Sequence, residues 1–187
     1  MKTIGLKLKI LLVIFLLQSV FVFSQTKEFV RILNKELKKE LKRIDKNPNA
    51  EKFEVIQFYQ LRDSVIVMEE YQEDPQAVRR IMRADLKILS VEIKKKNEYT
   101  GKYYTEKQEV SLGTIEKIQK DINILFKTQK NAVLVTTINE KGEKETYNTD
   151  QFFLHLREEK NNEHFADQIV KIFKKAGYLL EKGIWAD

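Results

Sequence analysis

His155 and His164 are the side chains of widest chemical range in this sequence. His155 and Glu159 stand four apart, and His164 lies three from Asp167 and four from Gln168, so each set would share one face of a helix. A tight metal site needs three or four ligands in fixed geometry. The chain has no cysteine and no His-Glu-x-x-His spacing. Both histidines therefore read as surface or boundary residues, and no metal or cofactor is expected.

Nucleophiles are as sparse. Beyond the first 24 residues the serines are Ser64, Ser90 and Ser111, and none lies in a GxSxG or SxxK arrangement. Ser90 beside Glu92 and Lys94 is no known catalytic unit. Carboxylates of the kind that pair for acid–base work, such as Glu69, Glu70 and Glu73, come at a density typical of solvated surface. Asp85 sits among Met82, Ala84, Leu86 and Ile88 and reads as a helix-to-strand boundary residue. Arg79, Arg80 and Arg83 could hold an anion, but Asp74 and Asp85 interrupt them. No glycine-rich loop follows a strand, so a nucleotide cofactor is disfavoured. The segment with Tyr99, Lys102, Tyr103, Tyr104 and Lys107 alternates aromatic and charged groups. Such a surface can stack on rings, though covering a sheet rim is the commoner use.

Periodicity says what must position these groups. Phe29, Leu33, Leu37, Leu41 and Ile44 predict an amphipathic helix over 26–44, closed by Asn47-Pro48-Asn49. Alternation predicts a hairpin of strands 53–59 and 64–70 joined by Leu61-Arg62-Asp63. Asp74-Pro75 suits a helix start. A helix over 75–84 followed by a strand over 86–95 fits, and so does one helix running on to Lys96. A turn at Gly101 leads to a polar edge strand over 103–111. Ile115, Ile118, Ile122 and Leu125 predict a helix over 114–126. A β-branched hairpin over 132–148 turns at Asn139-Glu140-Lys141-Gly142. A helix then carries Phe152, Phe153 and Leu156 to about Glu159. The last helix, 163–175, buries Phe165, Ile169, Ile172 and Phe173 and stops before Gly177, with Trp185 in a tail that packs back.

The first 24 residues have the three-part layout of a secretory signal. Lys2, Lys7 and Lys9 precede an apolar stretch from Ile10 to Phe23, and Val22 and Ser24 are small enough for cleavage before Gln25. The apolar run is shorter than the roughly 20 residues of a spanning helix. The lysine-rich start and the Phe23-Ser24-Gln25 end resemble the signals of exported proteins of the Bacteroidota. That resemblance covers about 25 residues and implies a Gram-negative periplasm or outer surface. Those three lysines supply half of the formal charge of +6. The remaining excess is too mild for a nucleic-acid binder.

The expected architecture is α+β: residues 25–187 as a single domain, an antiparallel sheet with several amphipathic helices packed mainly on one face. The expected function is a non-enzymatic, exported binding protein of the periplasm or envelope. Its partner would be another envelope protein or a glycan, with no nucleic acid and no membrane span after signal cleavage. The alternative is a small envelope hydrolase with a site assembled in space. A pocket joining His155 or His164 to carboxylates would favour the hydrolase; an exposed patch around Tyr103 or Trp185 would favour binding.

Overall fold

The computed structural model describes residues 26–70, 80–157 and 159–186, with side chains described outside 66–70 and 80–85. The signal segment and residues 75–79 of the expected second helix lie outside the described residues. The chain is α+β, with a mostly antiparallel strand arrangement and two substantial helices among the described residues, fewer than the several expected. It divides into two units. Unit 1 holds residues up to 50, 116–126 and 153 onward; unit 2 holds 51–115 and 127–152.

Unit 2 is built on a five-stranded antiparallel sheet in the order β1-β2-β3-β6-β7. Its strands are β1 (Phe53–Glu70), β2 (Arg80–Lys96), β3 (Tyr103–Ser111), β6 (Val133–Asn139) and β7 (Lys144–Thr149). The expected hairpin over 53–70 is one continuous strand. Leu61, Arg62 and Asp63 pair with Leu89, Ile88 and Lys87 in the ladder. No glycine or proline in that tripeptide forces a turn. The pairing register shifts between Val55 and Gln60, and Tyr59 is buried there against Phe152, ring centroids 6.4 Å apart. The expected helix over 80–84 is also strand, paired with β1 up to Arg80↔Glu70. The strand expected over 86–95 is present within β2.

The polar strand expected at the sheet edge lies in its middle: β3 pairs with β2 on one side and β6 on the other. Its charges suit that place because strand neighbours neutralise them. Glu109 takes ion pairs from Lys107 and from Arg62, each at 3.1 Å. The other face carries the core, with Leu89, Val91, Ile93, Val110, Val133 and Val135 all buried.

Unit 1 contains α1 (residues 26–46) and α2 (Glu163–Lys175). The stripe of α1 is as the spacing requires: Phe29, Leu33, Leu37 and Ile44 are buried. The rings of Phe29, Phe126 and Phe173 form the centre, Phe29 meeting Phe173 edge-on at 5.0 Å. Gly177 at φ +84° ends α2, and the Tyr178 amide donates back to Phe173 O at 2.9 Å.

The helix expected over 114–126 is instead two strands, β4 (Ile115–Lys120) and β5 (Ile124–Thr128), preceded by a 3₁₀ turn at Leu112–Thr114. A helix would have turned Ile122 inward; it sits in the connection at 63% exposure. Four isoleucines in this stretch favour extended backbone. Residues 151–157 of the helix expected over 150–159 are not helical: β8 (Gln151–Phe153) runs into a segment whose Leu154 amide donates to Ile124 O and whose Leu156 O accepts from the Ile124 amide. Phe152, Leu154 and Leu156 are buried in alternation, the period of a strand. The tail forms β9 (Glu181–Trp185), parallel to β4, in a sheet of order β8-β5-β4-β9. No described helix is long and apolar enough to cross a membrane.

Candidate functional site

The core face of the unit 2 sheet changes character along its length. Residues paired across strands share a face, so Ile93, Glu106 and Thr137 form one row, and Lys95, Tyr104 and Asn139 the next. The apolar rows thus give way to an ion pair and then to tyrosine. Glu106 is buried, and its two oxygens are divided between two donors: Lys95 Nζ lies 2.9 Å from Oε2, and Gln108 Nε2 donates to Oε1 at 3.1 Å. Gln108 is only 1% exposed. The Lys95 ammonium also lies 5.5 Å from the centre of the Tyr104 ring.

This arrangement fixes protonation. Burial pulls the Lys95 pKa down, but the charge and hydrogen bond of Glu106, with help from Tyr104, leave it raised above its ordinary 10.5. Lys95 is an ammonium at neutral pH, not a free amine nucleophile. Burial raises the Tyr147 pKa, and nearby Glu106 raises it further against a smaller opposing effect of Lys95. Tyr147 therefore keeps its proton and can donate it in a hydrogen bond.

A cleft of about 570 Å³ opens over Glu106, walled by Tyr104, Thr137, Glu145 and Tyr147. Two turns frame it. Asn97 Oδ1 accepts from the amides of Tyr99 and Thr100 at 3.0 and 2.9 Å, and Gly101 completes that turn at φ +68°. Asn139 Oδ1 accepts from the amides of Lys141 and Glu143 at 2.9 and 3.0 Å. The Tyr103 amide donates to Glu140 Oε1 at 2.9 Å and ties one turn to the other. Tyr99, 97% exposed, projects from the first turn. Four of the seven tyrosines in the chain thus stand at this end of the sheet.

The groups singled out by sequence fare unequally. Tyr99, Lys102, Tyr103 and Tyr104 gather at this turn end, while Lys107 faces the opposite side of the sheet with Glu109. All three serines lie in unit 2 and both histidines in unit 1. Ser90 is buried and accepts from Gln57 Nε2 at 3.2 Å. His164 is exposed on α2, and His155 adopts φ +50° in the segment after β8. Neither histidine lines the cleft. Glu69, Glu70, Arg80, Arg83 and Asp85 fall on the far ends of β1 and β2, while Glu73, Asp74 and Arg79 lie outside the described residues. Trp185 donates to Asn162 Oδ1 at 3.1 Å inside unit 1. Among the described residues no group of three or more metal-ligating side chains occurs. Sequence reasoning passed over Lys95, Glu106, Gln108 and Tyr147. The signal was the alternation Tyr104-x-Glu106-x-Gln108-x-Val110, which puts a carboxylate on the same face as core residues.

Comparisons with protein-family models, curated sequences and solved structures find no match to this chain.

Proposed function

We propose that the protein is an exported binding module that recognises a neutral glycan in the cleft over Glu106, by contact and not by catalysis. The observation that carries this reading is the Lys95–Glu106–Gln108 set beneath a tyrosine-walled opening. Its charged groups are satisfied by one another, which supports a rigid polar floor better than a poised acid, base or nucleophile. Tyrosine faces suit the C–H faces of sugar rings, while Thr137 and Glu145 can exchange hydrogen bonds with hydroxyls. Charge argues against an ionic polymer. Lys102 and Lys144 on the walls, with Lys95 below, balance Glu106, Glu143 and Glu145. A polyanion or polycation would need one sign to dominate.

In this reading residues 1–24 are removed on export and residues 25–187 work in the periplasm or at the outer surface. Intact-mass measurement of the exported product tests that step; a retained Met1–Ser24 segment contradicts it. Binding is tested by calorimetric titration with a panel of neutral gluco-, manno-, galacto- and xylo-oligosaccharides. At least one should bind the wild type and lose affinity with Tyr147→Ala. Absence of binding to every member, or capture only of a protein partner through the same tyrosines, contradicts the glycan assignment.

A further inference from the structure

A second, larger groove of about 880 Å³ lies at the same end of the unit 2 sheet. It is walled by Phe53, Glu54, Lys94 and Lys96, and the register places Glu54 opposite Lys94 and Lys96 opposite Tyr103. Those pairs alternate with the Lys95–Tyr104 row, so they belong to the other face of the sheet. Asn97 and Tyr103 line both this groove and the cleft over Glu106. The two openings are therefore neighbours across the 97–102 turn, with Tyr103 common to both. Tyr103 is half exposed, and Lys94 Nζ stands 5.5 Å from its ring centre.

The chemistry on the two sides is alike. The second groove sets Lys52, Lys94 and Lys96 against Glu51, Glu54 and Glu98, again without a dominant sign, and offers Tyr103 as aromatic surface. Each opening has the volume that holds a drug-sized ligand. The turn between them is held by side-chain and backbone bonds: besides the contacts of Asn97 Oδ1, the Gly101 amide donates to Asn97 O and the Asn97 amide to Lys102 O, both at 2.8 Å. A ligand crossing it meets a preformed ridge and does not have to order a loop.

We infer that the ligand is a chain and not a single sugar: an extended neutral oligosaccharide that lies in the cleft over Glu106, crosses the turn against Tyr103 and continues into the groove of Glu54 and Lys94. This rests on the glycan reading of the cleft and adds the substrate class. Two linked subsites gain affinity together, because the second contact is made at high effective concentration once the first is in place.

The experiment is a length series, from disaccharide to hexasaccharide, of whichever panel sugar binds, titrated into the wild type and two variants. Affinity should rise with length by about tenfold or more before it levels off. The double variant Glu54→Ala/Lys94→Ala changes exposed side chains only and should remove the gain from length while leaving disaccharide affinity unchanged. Tyr147→Ala should weaken every length. An affinity independent of length overturns the two-subsite inference and leaves the glycan reading standing. So does a double variant that keeps the full length dependence or weakens the disaccharide as much as the hexasaccharide. No binding at any length overturns both.

Discussion

Each unit of this protein buries a polar network, and the two networks face different surroundings. In unit 1 the Glu40 carboxylate is wholly buried, accepting from the Arg157 amide at 2.6 Å and from Arg43 at 3.4 Å. Buried Lys120 donates to Glu159 O at 2.7 Å and to Asn162 Oδ1 at 3.2 Å, and Arg43 pairs with Glu159 at 2.8 Å. The space that Glu40, Arg43, Glu159 and Asn162 line is about 10 Å³, the room of one water molecule at most. These charges fasten Arg157, Glu159 and Asn162, beside Asn161 at φ +53°. In unit 2 the Lys95–Glu106–Gln108 set is as well satisfied but lies under an open cleft of about 570 Å³. A buried ion pair therefore does not identify a site by itself. The space it faces does.

That contrast predicts a separation of stability from binding. The largest effect belongs to Glu40→Ala, which strips the acceptor from the Arg157 amide and from Arg43. It should lower the unfolding free energy by about 3 kcal/mol in urea titration and leave glycan affinity unchanged at temperatures where the variant is folded. Loss of glycan affinity without loss of stability would break the comparison.

In unit 2, Lys95→Met leaves Glu106 without its cation and should cost about 2 kcal/mol. Lys95→Met/Glu106→Leu removes both charges together and should regain most of that stability while glycan binding stays lost. Restored binding in the double variant would show that the pair is structural, as in unit 1. Tyr147→Ala, at the cleft wall, should weaken glycan binding about tenfold with little change in unfolding.

The smallest effect concerns pH on the opposite sheet face. Burial pushes the Glu109 pKa up, but Lys107 and Arg62 outweigh it and hold the group below its ordinary 4.5. A depressed carboxyl stabilises the fold above its unfolded pKa and loses that contribution as pH falls through the folded value. Glu109→Gln should therefore lower stability slightly at neutral pH and flatten the decline below pH 4.5. An acid profile identical to wild type contradicts the ion-pair assignment.

Much of unit 1 was legible because its helices follow single apolar stripes. Glu163–Lys175 and its Gly177 stop, and the 132–148 hairpin of unit 2, can be read directly from spacing and turn chemistry. The misreadings share a cause. Residues 114–126 and 150–159 offer apolar side chains at both helical and strand spacing, and pairing with distant segments decides between them. Ile122 is the discriminating residue, inside for a helix and outside in the connection between β4 and β5. The candidate cleft was half legible. The tyrosines of 99–104 stand out in the sequence, but Glu106 becomes conspicuous only once β3 is known to be a central strand. Tyr147 joins it through the β3–β6–β7 register, more than forty positions along the chain.

The central claim is that the cleft over Glu106 is where a neutral glycan binds, and amide chemical-shift mapping with the highest-affinity panel oligosaccharide tests it most directly. Perturbations should centre on Tyr103, Tyr104, Glu106, Thr137 and Tyr147, with the amides of Arg157 and Asn162 in unit 1 unmoved. Perturbations centred on Arg157 and Asn162, or none at saturating sugar, would contradict it.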